Sequence, residues 1–441
     1  MDRYDSYKDS GVEWIGEIPS HWRKSKFKYV SQLFTGNSLN DEQKELYESD
    51  NSNDIPYVSS KDIDVNYQTI NYNNGLRIPK ENNPLKISPK GSFLMVIEGG
   101  SSGRKKVFLE EDVCFVNKLC SFNSIENNKF QFYFIQSSNY QSKFNMSLSG
   151  LIGGVSISSL KDFEICLPQI SEQQQIVSFL DDKTQKIDSL IQQKEKKIEL
   201  LKEKRTSLIN HVVTKGLDPN VEMKDSGVEW IGEIPSGWKT SKLKYSCQIT
   251  YGISPPDTTY NDEGIGIELI NGPVEYSKSD FGYTRSSKWT TEPKKYSKKN
   301  SLLFCLRGST TGRMNITHKD VSIGRGVCSI NSIQGEQWFM IYSMFILRIY
   351  IQKLISGSTF PSVTKDDVDN YVICNPPISE QQQIVEYLDK QTEEIETLIQ
   401  LEQKKIDTLK EYRQSLISEV VTGKIRVCKE DTSLSLNSQT V

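Results

Sequence analysis

The chain has 441 residues, room for two or three domains that each bury a core, and its 20 Tyr, 17 Phe and 6 Trp exclude a disordered polymer. The net charge of −3 predicts no polyanion partner by itself, but the charge is unevenly spread. Residues 238–375 carry 17 Lys+Arg against 12 Asp+Glu, a local +5, whereas residues 22–167 carry 17 against 16.

Other counts narrow the class further. The eight cysteines stand singly with no CxxC pair, and there are three histidines (His21, His211 and His318), so no four-ligand zinc cluster is expected. Scattered cysteines suit a reducing cytosol. The amino terminus, MDRYDSYKDSG, lacks the apolar core of a signal peptide, and no uncharged apolar run reaches membrane-spanning length. A soluble, cytoplasmic protein without membrane contact is expected.

From the start of the chain, the dominant feature is repetition. "KDSGVEWIGEIPS" at Lys8–Ser20 returns letter for letter at Lys224–Ser236, and Trp22 returns as Trp238. "ISEQQQIV" at Ile170–Val177 returns at Ile378–Val385. The offset is 216 at the first phrase and 208 at the second, so the stretch between them is eight residues longer in the first half. Two constant frames therefore surround two divergent inserts, the pattern of one scaffold carrying two specificities. In the frame segment GVEWIGEIP the Val, Trp and Ile side chains suit docking, not chemistry.

Within the inserts, "SFLMVIEGG" and "SLLFCLRGS" read as buried strands entering Gly-rich turns. "FQFYFIQSS" fits a buried strand or helix, and "QWFMIYSMFILRIYIQKLI" is helical by length. Each insert is thus a mixed α/β (α+β) domain. The turns share one pattern: Gly100, Ser101, Ser102, Gly103, Arg104 and Lys105 in the first copy, and Gly308, Ser309, Thr310, Thr311, Gly312 and Arg313 in the second. Small residues let backbone N–H groups approach an oxyanion, hydroxyls add hydrogen bonds and Arg adds a forked cation, which suits a DNA phosphate or base edge. A plain hairpin turn is the alternative. The Gly spacing is too short for a nucleotide-binding P-loop, and no Lys-Ser/Thr follows. Near the second copy, "TRSSKWTTEPKKYSKKN" sets Arg285, Lys288, Lys294 and Lys295 around two aromatics, a second DNA-binding candidate beside the alternative of a solvated surface.

After each insert, Pro168 and Pro376–Pro377 stop the preceding element, and Ser171/Gln174 and Ser379/Gln382 fit a capping box. No Gly or Pro follows until Gly216 and Gly423, so two helices of about 41 residues, some 60 Å long, are expected. Their apolar positions step 4 and 3 with one stutter. Antiparallel pairing would bring together Ile187, Leu190, Lys194 and Ile198 with Ile395, Leu398, Glu402 and Ile406, with Lys194 and Glu402 as a candidate charge pair. Packing of each helix on its own half and pairing between molecules are the alternatives.

Catalytic residues are harder to find. "NPPI" at Asn375–Ile378 is similar to the Asn-Pro-Pro-aromatic motif of DNA adenine methyltransferases, but Ile378 cannot stack a flipped base, and no Gly-rich S-adenosylmethionine segment is present. No nuclease, Walker or Ser/His/Asp set appears, so the chain reads as non-catalytic.

Taken together, "YKDSGVEWIGEIPxxW" opening each half and "LPxISEQQQIV" before a long helix ending in "VVTKG" or "VVTGKI" resemble the specificity subunit of type I restriction–modification enzymes. The resemblance covers nearly the whole chain up to Val427. It implies residues 1–167 as a first target-recognition domain and 168–216 as a spacer helix. Residues 217–375 then form a second recognition domain, 376–426 a second spacer helix antiparallel to the first, and 427–441 a polar tail. It implies double-stranded DNA as ligand, each domain reading half of an asymmetric bipartite site. It also implies two modification (methyltransferase) subunits and two restriction (translocase/endonuclease) subunits as partners, which would hold S-adenosylmethionine, ATP and Mg, leaving no cofactor or metal in this chain. A coiled-coil tether with two ligand domains unrelated to DNA, and a degenerate methyltransferase, are the rival readings.

Overall fold

Each divergent insert is pinned at both ends by a short ladder. Arg23–Lys26, just after the first frame, pairs antiparallel with Glu164–Leu167, just before the first long helix. Lys239–Lys242 pairs in the same way with Val372–Asn375. Because each ladder closes the insert at its base, the chain between can change length and sequence without moving the frame. The computed structural model describes residues 2–427 apart from 50, 66, 67, 82, 151, 152, 280, 309 and 356–361, so the expected tail lies outside the described residues from 428 onward.

Between the ladders the two inserts share a plan that their sequences hide. In the first, a four-stranded antiparallel sheet runs in the order 31–35, 119–124, 93–96, 106–108; in the second the order is 247–251, 327–332, 302–305, 314–316. The central strands Phe93–Val96 and Leu302–Cys305 are buried at every residue, which is why they read as continuous apolar runs. A second, mixed sheet follows in each insert, with one parallel pair: 55–58 with 113–115, and 267–270 with 321–323. Gly36 and Gly252 lie at the same place in the two copies and cannot carry a side chain. A Cβ would stand 1.7 Å from the Phe115 carbonyl oxygen at the first and 2.1 Å from that of Gly324 at the second. "FQFYFIQSS" resolves as a helix, Asn128–Phe134, and "QWFMIYSMFILRIYIQKLI" as a helix over Gln337–Ile355.

The long helices run Ile170–Lys215 and Ile378–Val421. Ser171 and Ser379 fall inside the first turn, two residues after the capping positions Gln169 and Pro377. The start is tied instead by buried glutamines: Gln173 Nε2 donates to the Pro168 carbonyl at 3.0 Å, and Gln381 Nε2 to the Pro376 carbonyl at 2.8 Å. The glutamine thus satisfies a carbonyl that precedes the helix, not the free N–H groups of the first turn from which a capping serine would accept. No helix among the described residues is long and apolar enough to cross a membrane.

The chain forms two units, residues 1–194 with 404–441 and residues 195–403. Each holds one globular half and a portion of both long helices. The repeated phrases meet within each unit. In the first, fully buried Trp22 donates its indole N–H to Glu172 of ISEQQQIV at 3.1 Å, and Gly423 at the end of the second helix lies against Trp22 and Pro19. In the second, Trp238 donates to Glu380 at 2.9 Å and Gly216 lies against both. Both glycines adopt positive φ (71° and 77°), closing the helix where a side chain would strike the tryptophan wall.

Candidate nucleic-acid interface

The shared turns repeat three backbone hydrogen bonds, although the first is one residue longer before it rejoins its strand. In the first, the backbone N–H groups of Ser102, Gly103 and Arg104 donate to the carbonyls of Gly99, Val96 and Ser101 at 2.9, 2.8 and 3.1 Å. In the second, those of Thr311, Gly312 and Arg313 donate to Gly308, Cys305 and Thr310 at 3.0, 2.8 and 3.0 Å. These three N–H groups of each turn are therefore spent inside it and are not open to an oxyanion. The glycines serve the turn itself: Gly99, Gly103, Gly308 and Gly312 have φ between 71° and 95°, a region that side chains resist. Gly103 also abuts Phe144, 2.5 Å from where a Cβ would stand.

What the turns do offer is a cationic rim on a rigid base. Arg104 is exposed, with its guanidinium folded back on the Gly100 carbonyl, while Ser101 is half-buried. Lys105 Nζ donates to the Ser60 carbonyl at 2.7 Å. Arg313 lies 6.0 Å from the Tyr276 ring centre and donates to the Ser277 carbonyl at 3.3 Å. The hydroxyl of Ser102 is buried, and that of Thr311 is spent on the Gly308 carbonyl at 2.8 Å. Thr310 is half-buried, and Ser309 lies outside the described residues. Lys106, next along, is buried and solvates its ammonium with the Ile135 carbonyl (3.2 Å) and Gln141 (3.1 Å). Burial pushes its pKa down to about 8, so it belongs to the core and not to the rim.

The basic stretch of the second half is spread over a sheet instead of gathered in one patch. Arg285 is exposed and its backbone N–H donates to Glu275 at 2.7 Å, beside the Tyr276–Ser277 segment that carries Arg313. Those two arginines are therefore brought to one segment. Lys288 lies 5.4 Å from the Tyr260 ring centre. Lys294 faces Glu292 at 3.5 Å, and Lys295 is exposed at the base of the strand Tyr296–Ser297. In the first insert Lys118 is exposed in the turn whose carbonyl receives the Ile97 N–H; Arg325 is exposed in the equivalent turn of the second.

The long helices meet through equivalent ion pairs. In the first unit Arg413 Nε donates to Asp188 at 2.9 Å; in the second Arg205 donates to Glu396 at 3.0 Å. A shift of 208 residues converts Asp188 into Glu396 and Arg205 into Arg413. Glu402, 3 % exposed, takes Lys197 at 2.9 Å as a partner within its unit, and moving forward from 197 to 205 moves the partner back from 402 to 396, so the helices are antiparallel there. Lys194, the expected mate of Glu402, is half-buried and belongs to the other unit. Ile187, Ile198, Ile395 and Ile406 are buried. Leu190 and Leu398 are not: they are 44 % and 43 % exposed, and Ile191 and Ile399 turn inward instead. The reason lies about two turns earlier. Each helix must also face its own insert, where Tyr133 donates to Asp181 and Tyr342 to Asp389, both at 2.7 Å, and Thr184 and Thr392 lie beside them. This contact turns the stripe by one residue, and burial raises the pKa of both phenols well above the ordinary range, keeping them protonated as donors.

Two exposed side chains beside the turns escaped the sequence reading, Glu98 and Arg307. Superposing the two copies of the turn pattern would have shown them, since they stand just before Gly99 and Gly308 with opposite charge.

Comparison with known proteins agrees with this geometry. The family described as Type I restriction modification DNA specificity domain matches residues 19–200 and 235–411, once in each half. A specificity subunit named for the type I restriction enzyme MjaX of Methanocaldococcus jannaschii is 31 % identical over 273 residues, 61 % of this chain and 60 % of that relative. The MjaIX specificity subunit of the same organism is 26 % identical over 434 residues, 94 % of this chain and 95 % of the relative. The fold is that of a chain from a solved type I restriction–modification system, studied for its assembly and conformational transition, with a TM-score of 0.72 at 20 % identity over 92 % of this chain and 99 % of that one. The chain belongs to the type I restriction–modification DNA specificity family, as a non-catalytic specificity subunit that carries the family's domain twice.

Proposed function

We propose that this chain reads an asymmetric, bipartite site in double-stranded DNA, one half-site per insert, and that two methyltransferase and two restriction subunits assembled on it do the chemistry. The observation that carries the reading is the contrast between identity and divergence. The Trp–Glu contacts, the end-pinning ladders and the helix ion pairs recur in both halves, while the exposed residues around the shared turns do not. A duplicated frame with variable inserts fits one mode of assembly and two different readings. S-adenosylmethionine, ATP and Mg belong in this account to the partners.

The weak charge of the first insert, +1 over residues 22–167 against +5 over 238–375, implies that the chain alone holds DNA loosely and that the modification subunits close around the duplex. The test is binding of the chain together with its modification subunit to duplex DNA over a range of salt. Each phosphate neutralised adds about −0.9 to the slope of log affinity against log salt. A steep negative slope is expected, and a complex that forms but shows no salt-dependent DNA affinity overturns the reading in favour of a protein tether.

A further inference from the structure

Glu98 and Arg307 occupy one structural position. The residue before each, Ile97 and Leu306, donates its N–H to the Lys118 and Gly326 carbonyls, both at 2.9 Å, and accepts from Val155 and Val363, again at 2.9 Å. Each then forms a single antiparallel bridge, Glu98 with Gly154 and Arg307 with Ser362, before a glycine of positive φ. The backbone is thus held on both sides in the same way, yet the side chains are exposed and make no hydrogen bond or ion pair among the described residues. A rigid backbone that presents a free charged group does nothing for stability through that group.

The surroundings say what such a group could meet. Backbone pairing sets Lys118 against Ile97 and Lys105 against Val96 in the first copy, and Arg313 against Cys305 with Arg325 next to the Gly326 that pairs with Leu306 in the second, so both positions end strands edged by basic residues, as suits a phosphate backbone. A lone carboxylate in that setting is repelled by phosphates, and the cost is offset only if it accepts a hydrogen bond from a base amino group. In the major groove the cytosine N4 amino group is the usual partner of a carboxylate, and guanine O6 and N7 are the usual partners of arginine.

We propose that Glu98 and Arg307 are equivalent base-reading positions, the first accepting from cytosine N4 in one half-site and the second donating to guanine O6 and N7 in the other. The inference rests on the DNA-reading function above. One backbone position, filled once by an acceptor and once by a donor, then accounts for part of the difference between the half-sites.

The test co-produces the full chain with its modification subunit and maps N6-methyladenine in host DNA for the parent, Glu98→Ala, Glu98→Gln, Arg307→Ala and Arg307→Lys. Each substitution is expected to relax one base position in one half-site, with discrimination there falling by about 5- to 150-fold, while the other half-site stays unchanged. The untouched half-site certifies the fold of the variant. Where methylation falls too low to map, affinity for the parental duplex and its single-base variants replaces it. An unchanged motif, or a weakening equal for all sequences as a phosphate contact gives, overturns the proposal. A parent that methylates no bipartite motif overturns the underlying reading instead, so the two failures are distinguishable.

Discussion

Replacing Trp22 with alanine is expected to destabilise its unit by about 3–5 kcal/mol, the cost of removing a fully buried large aromatic. For a unit of this size that corresponds to a fall in Tm on the order of 6–20 °C. Trp22 is 0 % exposed, packs edge-on at 6.4 Å from Phe130 and 6.1 Å from Tyr4, and donates to Glu172. Glu172 also accepts from Tyr4 at 2.7 Å and pairs with His21 at 2.9 Å, so the substitution opens a cavity and loosens a polar knot. Trp238→Ala is expected to do the same in the second unit, where the indole is 2 % exposed and bonded to Glu380. With no residue shared, the two losses should add. Scanning calorimetry of both single variants and the double reads this, and a shift below about 3 °C in each single variant would show that the repeated phrases do not lock each other.

The second large effect concerns the distance between readings. Adding seven residues to each long helix, between Lys194 and Glu195 and between Gln403 and Lys404, preserves the apolar seam because two turns of a paired helix take seven residues. It adds about 10 Å of helix to each, close to three base-pair steps of about 3.4 Å. The methylated motif is expected to keep both half-sites and gain about three unspecified bases between them. An insertion in one helix alone breaks the register set by Asp188–Arg413 and Arg205–Glu396 and should abolish methylation. Mapping N6-methyladenine with both kinds of variant checks this; altered half-sites around an unchanged gap would refute the division of labour.

Much of this was legible in the residues. Duplication, the long helices and the buried strands follow from exact repeats, absent breakers and apolar runs, all of which are local signals. The common plan of the inserts was not legible, because a shared sheet order is enforced by backbone pairing that many side chains satisfy. Leu190 and Leu398 misled because a heptad pattern describes one partner, and these helices have two, the other helix and Tyr133 or Tyr342 of the insert. The turns misled in the opposite way. Their glycines and hydroxyls suggested an open cradle, but three N–H groups of each copy are spent inside the turn, and further exposed charge lies at Glu98 and Arg307, a place where only comparison of the two copies draws the eye.

The most direct measurement of the central claim is the methylation pattern of the unaltered chain. Co-produced with its modification subunit in a host lacking other adenine methylation, the chain should mark one motif made of two short, different defined halves around a fixed unspecified gap. A palindromic or single-block motif would contradict two independent readers in one chain, and a stable complex that leaves the DNA unmarked would contradict the reader itself.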